Sequence, residues 1–132
     1  MAKAIKVKLL SFSMEDNPGL LSEITERLSK AKINISAICA YAVEDKAYFD
    51  MTTENNVQAK KALAGMGLKF EEETVIQVEI PNKTGELNKV AKIIADKGIN
   101  IAYMYATASS GKTASCLFST SDNAKALRLI NK

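Results

Sequence analysis

Asp16-Asn17-Pro18-Gly19-Leu20-Leu21, an amphipathic run, and then Ile33-Asn34-Ile35 form the stretch from which the fold can be read. A second version begins at Asn82-Lys83-Thr84-Gly85-Glu86-Leu87 and closes with Ile99-Asn100-Ile101. Gly85 follows Gly19 by 66 residues, and Asn100 follows Asn34 by the same 66. In a chain of 132 residues that step is half the length, so the chain is a duplication in which each half is one similar unit.

Ahead of the first loop, Ile5, Val7 and Leu9 alternate with Lys6 and Lys8, the period of a strand with one buried face. Those three are expected to point inward, with Leu10 and Phe12 on the other face. Asp16-Asn17-Pro18-Gly19 is turn chemistry, in which Asn17 can cap a helix and Pro18 suits its first position. Leu20, Leu21, Ile24, Leu28 and Ala31 then recur at helical spacing, with Glu23 and Arg27 placed to pair on the solvent side. Residues 33–43 are rich in β-branched and small apolar side chains and read as a strand; 44–46 are a hairpin turn and 47–53 the returning strand. Asn55 or Asn56 caps a second helix, which Gly65 and Gly67 stop. Residues 68–80 contain no Gly or Pro and read as the last strand of one half running into the first strand of the next.

The second half repeats the order: helix 85–97, strand 99–108, turn 109–111, strand 112–120 and a helix from Asp122. The expected fold class is therefore α+β, two ferredoxin-like βαββαβ units at residues 1–73 and 74–132, each an antiparallel sheet with its helices on one face. The second unit lacks its last strand. A bare sheet edge needs cover, so a strand from residues 68–80 or from another chain is expected to supply it. Halves this small bury little surface alone, which adds to the expectation of an oligomer, in the simplest case a homodimer.

Composition removes several function classes. The sequence has no histidine, so imidazole general bases, triads built on them and His-ligated zinc are excluded. Cys39 and Cys116 belong to no CxxC pattern and read as small buried hydrophobes in a reducing cytoplasm. No P-loop or GxGxxG occurs, and no catalytic residue, metal ligand or cofactor is expected. A net charge of +3, with both signs interspersed, gives no basic stripe for nucleic acid or a membrane surface, and no apolar run is long enough for a span. Tyr41, Tyr103 and Tyr105 along the second strands either line a pocket or pack between sheets, with packing favoured. Ile93 lies off the main apolar face of its helix and is expected to be exposed, marking a contact.

What remains are the two strand-to-helix loops. A Gly turn lets backbone approach a small ligand, and free amides at a helix start attract a carboxylate. The ammonium group of an amino acid would then need oxygen acceptors, for which Asp16, Asn82, Asn34 and Asn100 are candidates. On physical grounds alone, ordinary cap and turn residues are the favoured explanation of the same loops.

A loop of the form D/N-x-x-G-x-L after an apolar strand, an amphipathic helix and I-N-I opening the second strand resembles the ACT domain, a regulatory module that binds amino acids. Both halves carry the pattern, so the chain resembles a stand-alone tandem ACT protein. The resemblance implies a non-catalytic sensor with the ligand between paired ACT domains, held by a Gly loop and by the second-strand start of a neighbour. Carried onto this chain, the ligand-binding positions are Asp16, Asn17, Gly19, Leu20, Leu21, Asn34 and Ile35, and Asn82, Gly85, Glu86, Leu87, Asn100 and Ile101. Lys83-Thr84 in place of Asn17-Pro18 makes the copies unequal. The alternative implied is a regulatory subunit docking on an amino-acid biosynthetic enzyme such as acetolactate synthase. An RNA-binding ferredoxin-like domain would need aromatic residues on the central strands and a basic face, which the scattered lysines do not provide.

Overall fold

Strand β1 (Lys3–Glu15) is twice as long as a single small sheet needs, and it is shared. The computed structural model describes residues 2–132. After β1 come α1 (Leu20–Lys30), β2 (Ile35–Val43), β3 (Lys46–Thr53), α2 (Asn56–Ala62), β4 (Glu71–Pro81), α3 (Glu86–Asp96), β5 (Ile101–Ala108), β6 (Thr113–Thr120) and α4 (Asn123–Asn131). The chain divides into two compact units, one spanning Lys8–Glu73 and the other combining residues 2–7 with Thr74–Lys132. Both long strands are cut by that division, β1 after Val7 and β4 after Glu73.

The first unit has the strand order β2-β3-β1-β4, with β4 represented by its first residues. Its register sets Leu10 opposite Met51, Phe12 opposite Phe49 and Ile38 opposite Met51, all antiparallel. Leu10, Phe12, Phe49 and Met51 meet Leu20, Ile24 and Leu28 of α1 and Ala59 of α2 in one core, while Ile38 on the edge strand stays exposed. Phe12 lies against Phe49 at 5.3 Å and against Phe70 edge-on at 5.5 Å. Of the five apolar positions expected on α1, Leu21 and Ala31 are exposed, because three buried residues per three turns are enough for a helix this short to cover the sheet. Glu23 and Arg27 do pair, at 3.3 Å.

The second unit has the order β1-β4-β6-β5. Ile76 stands opposite Phe118, and Val78 opposite Cys116. Their core is completed by Val90 and Ile94 of α3, Ala126 and Ile130 of α4, and Ala4 of β1. The strand missing from the second half of the sequence is thus supplied by the chain's own beginning, not by residues 68–80 or another chain. Asn131, at the end of α4, clamps it: the Ala4 N–H donates to Asn131 Oδ1 at 2.7 Å, and Asn131 Nδ2 donates to the Ala4 carbonyl at 2.8 Å.

The facing of β1 corrects the sequence reading. Ala4, Leu10 and Phe12 enter the two helix-covered cores, while Ile5 is 52% exposed. Successive side chains alternate, so Ile5, Val7 and Leu9 lie on the face away from the helices. Leu9 is nevertheless buried there. Alternation gave the period correctly, but a strand with apolar residues on both faces does not declare which one the helices cover.

Matching hydrogen bonds in the two units confirm the duplication. Asn56 Oδ1 accepts from Thr53 Oγ1 at 2.6 Å, and its Nδ2 donates to the Lys8 carbonyl at 3.1 Å. In the second unit Asn123 Oδ1 accepts from Thr120 Oγ1 at 2.8 Å and Nδ2 donates to the Thr74 carbonyl at 2.8 Å. Asn55 rather than Asn56 caps α2, accepting from the Gln58 amide at 3.1 Å, and Asp122 caps α4 through Lys125.

Thr52, on the face away from the helices, is 4% exposed, and its hydroxyl has no partner among the described residues. An unpartnered buried hydroxyl is costly, and valine has nearly the same shape. Thr52→Val is expected to stabilise the protein by about 1 kcal/mol. A melting temperature unchanged or lowered by the substitution would show that the hydroxyl is satisfied in solution.

Candidate functional site

In each unit one helix start is capped by a side chain and the other is not. Asn55 and Asp122 cap α2 and α4. At α1 and α3 the N-cap is a glycine in the left-handed region, Gly19 at φ 86° and Gly85 at φ 87°, with no side-chain cap. An L side chain is disfavoured at such angles, which explains why glycine stands at both positions. First-turn amides that no side chain covers leave a positively polarised helix end open to an anion.

Backbone bonds hold each loop in place. The Asp16 amide donates to the Asp45 carbonyl at 2.8 Å, and the Asn82 amide donates to the Lys112 carbonyl at 2.8 Å. Each loop is therefore tied to the hairpin turn of its own unit. Pro18 precedes the N-cap instead of occupying the first helical position, which belongs to Leu20. Asn17 caps with its main chain: its carbonyl accepts from the Leu20 amide at 3.4 Å, while its side-chain Nδ2 donates to the Glu15 carbonyl at 3.4 Å. Asn82 Nδ2 donates to the carbonyls of Ser109 and Gly111 at 3.1 and 3.2 Å, so this side chain braces the turn.

The two loops share backbone geometry but differ in charge. Glu86 takes the first position of α3, where α1 has Leu20. Its carboxylate pairs with Lys89 Nζ at 2.8 Å. That hydrogen bond holds the Glu86 carboxyl below its ordinary range, with the nearby lysine charges adding to the effect. A fixed negative charge thus stands at the helix end of the second loop, whereas the first presents Leu20, which is buried, and Leu21, which is 49% exposed. Leu87, the counterpart of Leu21, is also exposed.

Asn34 and Asn100 sit at the other end of their helices. The Asn34 amide donates to Glu54 Oε1 and its carbonyl accepts from the Glu54 amide, both at 3.1 Å. Asn100 makes the same pair of bonds with Ser121, through Oγ at 3.0 Å and the amide at 2.9 Å. Asn34 and Ile35 line a shallow concavity of about 420 Å³ with Thr25, Leu28, Ser29 and Lys32. Helix α1 has 11 residues, so within one unit the Gly19 loop and Asn34 are held about 16 Å apart. Asn100 and Ile101 are likewise at the far end of α3 from Gly85. Neither unit by itself brings loop and strand start together.

The loop geometry, its repetition and the strand order identify the family. A family model described as "ACT domain pair" matches residues 5–132. The chain belongs to the ACT domain pair family. ACT domains are regulatory modules that bind small-molecule amino acids. Among solved structures, protein BT0572 from Bacteroides thetaiotaomicron is 30% identical, with 96% of this chain and 87% of that one covered and a TM-score of 0.86. The ligand-free regulatory subunit of aspartate kinase from Thermus thermophilus shares the fold at 17% identity, with 98% and 93% covered and a TM-score of 0.70. The aspartokinase alpha and beta subunits share it at 19% identity, with 97% and 93% covered and a TM-score of 0.66. No curated protein matches the sequence.

In this ACT domain pair the remaining candidate chemistry is sparse. Both cysteines are free thiols; Cys116 is buried, and burial raises its pKa, so its thiolate is disfavoured. No group of three or more metal-ligating side chains occurs among the described residues, and no helix among them is long and apolar enough to cross a membrane. Ile93 is half-buried, less exposed than its position off the apolar face suggested. Tyr41, for which packing was the favoured role, is 48% exposed and stacks on Tyr48 at 5.3 Å on the face away from the helices. Sequence reasoning missed that face because Ser11, Tyr41 and Asp50, which line it together, come from three different strands.

Proposed function

We propose that this ACT domain pair is a non-catalytic amino-acid sensor whose ligand lies between paired ACT domains of a homodimer. The observation that carries the reading is the absence of a side-chain cap at α1 and α3, with Gly19 and Gly85 in the left-handed region, in a protein that caps its other two helices. The amides after Gly19 would take the carboxylate of the amino acid. The strand start at Asn34 and Ile35 of a neighbouring ACT domain would supply acceptors for the ammonium group and a wall for the side chain. Asp16, Asn17, Leu20 and Leu21 complete the first loop's share; Asn82, Gly85, Glu86 and Leu87, with Asn100 and Ile101, form the second set. Glu86 makes that second set the poorer receptor for a carboxylate, which favours a role in assembly.

Ligand binding can shift the packing of paired domains only by its differential affinity for the two arrangements. Binding to the native state alone raises apparent stability by mass action. A thermal-shift screen over the proteinogenic amino acids at millimolar concentration should therefore single out one or a few of them. No upward shift with any would count decisively against the sensor reading. The second reading, a regulatory subunit docking on an amino-acid biosynthetic enzyme, is favoured by the exposed Ile38 and Val43 on β2, the edge strand of the first unit's sheet. Co-purification with such an enzyme would separate the two.

A further inference from the structure

The face of the first unit's sheet that points away from its helices carries a hollow of about 280 Å³, whose lining includes Ser11, Ser13, Tyr41, Tyr48, Asp50, Lys69 and Glu71. Its floor is organised. Asp50 accepts a hydrogen bond from Ser11 Oγ at 2.7 Å, and Tyr41 stacks on Tyr48 at 5.3 Å with an interplanar angle of 17°. The antiparallel register brings these groups together, with Ser11 opposite Asp50, Cys39 opposite Asp50 and Tyr41 opposite Tyr48.

We propose that this hollow is a binding site for a small organic cation, a guanidinium or alkylammonium compound, held by the Asp50 carboxylate and the open face of Tyr41. A cation over a tyrosine face is attracted by the ring quadrupole, and a nearby carboxylate adds a charge-assisted hydrogen bond. The two carboxylates, Asp50 and Glu71, outnumber the single ammonium of Lys69 in the lining. The volume is near the lower end for small-molecule sites, about 300 Å³, which suits a compound of diamine or agmatine size. The Tyr41 phenol is held above its ordinary pKa, first by desolvation and then by the Asp50 charge, so it stays neutral and its ring keeps the hydroxyl dipole.

The duplication supplies an internal comparison. The glycine loops, the asparagine anchors and the strand-start clamps recur in both units, as the fold requires. The places corresponding to Tyr41, Tyr48, Asp50 and Ser11 are held in the second unit by Thr107, Ser115, Leu117 and Gln77. The same fold is therefore built without an acid and a stacked ring pair at these places. This site also differs from the Gly19 loop in what it selects: a cation rather than a carboxylate.

Agmatine, which has no carboxylate, is the discriminating probe. The protein contains no tryptophan and four tyrosines, so ring signals in NMR, or tyrosine emission, report the titration cleanly. Agmatine should move the resonances of Tyr41 and Tyr48 while leaving Tyr103 and Tyr105 in place. Asp50→Asn keeps an acceptor for Ser11, and Tyr41→Thr installs the residue the second unit uses; each should weaken binding about tenfold. The amino-acid shift assigned to the Gly19 loop should persist in both variants, so either site can fail without the other. The proposal is overturned by no response of Tyr41 and Tyr48 at millimolar agmatine, by an unchanged affinity in both variants, or by a dimer that covers Tyr41 and dissociates in Tyr41→Thr.

Discussion

Removing residues 2–7 is expected to unfold the second unit or to drive it into aggregation. Among the described residues of that unit, they are the part that lies beside β4 on the side away from β6. Their loss removes the two Asn131 bonds to Ala4, each worth about 1 kcal/mol. It also removes the Ala4 contribution to the core and leaves β4 with an unpaired row of backbone groups. Together these reach several kcal/mol, a large share of the roughly 5–15 kcal/mol of a whole domain. Native-state hydrogen exchange should show the amides of α4 and β4 losing protection first. A truncated protein that melts at the temperature of the full chain would mean that the clamp contributes little. Asn131→Ala is the graded version, breaking the clamp while keeping the strand.

How much of this was legible beforehand depended on whether the signal was local. The step between Gly19 and Gly85, the turn chemistry around them and the period-2 runs reported a duplicated βαββαβ order, because those patterns are written within a few residues. The facing of β1 was not legible, since Leu9 and Leu10 are adjacent and both apolar, and both are buried. The role of residues 2–7 was hidden for a related reason: a strand's partner is chosen by distant parts of the chain, and Ala4 and Asn131 are 127 positions apart. In the loops the detail of the capping was not legible. Asn17 read as a side-chain cap, yet no side chain caps α1 and its Nδ2 donates to the Glu15 carbonyl; the turn-bracing bonds that Asn82 Nδ2 makes to Ser109 and Gly111 reach across to residues 27 and 29 positions away. The difference at Glu86 was visible in the sequence, and its meaning became clear only with the carboxylate placed at the start of α3.

Gly19→Val is expected to abolish amino-acid binding at the first loop while leaving the second unit intact. A β-carbon at Gly19 would meet nothing within 4 Å, so there is space for the first atom of a side chain. The effect of the substitution comes through the backbone: at φ 86° a β-branched residue costs about 1–2 kcal/mol, and relaxing that strain turns the loop amides away from the helix axis. The melting temperature should therefore fall by several degrees, and the ligand-induced rise should vanish. Gly19→Asn, which tolerates left-handed angles better, should keep part of both. Gly85→Val carries the same strain at φ 87° and the same loss of stability, but it should leave the ligand shift in place, because Glu86 already occupies that helix end. Glu86→Leu then makes the complementary test. It copies the Leu20 position of the first loop and removes the competing carboxylate, so calorimetry should find a second equivalent of amino acid bound per chain. An unchanged stoichiometry in Glu86→Leu, together with full binding in Gly19→Val, would place the ligand away from both loops.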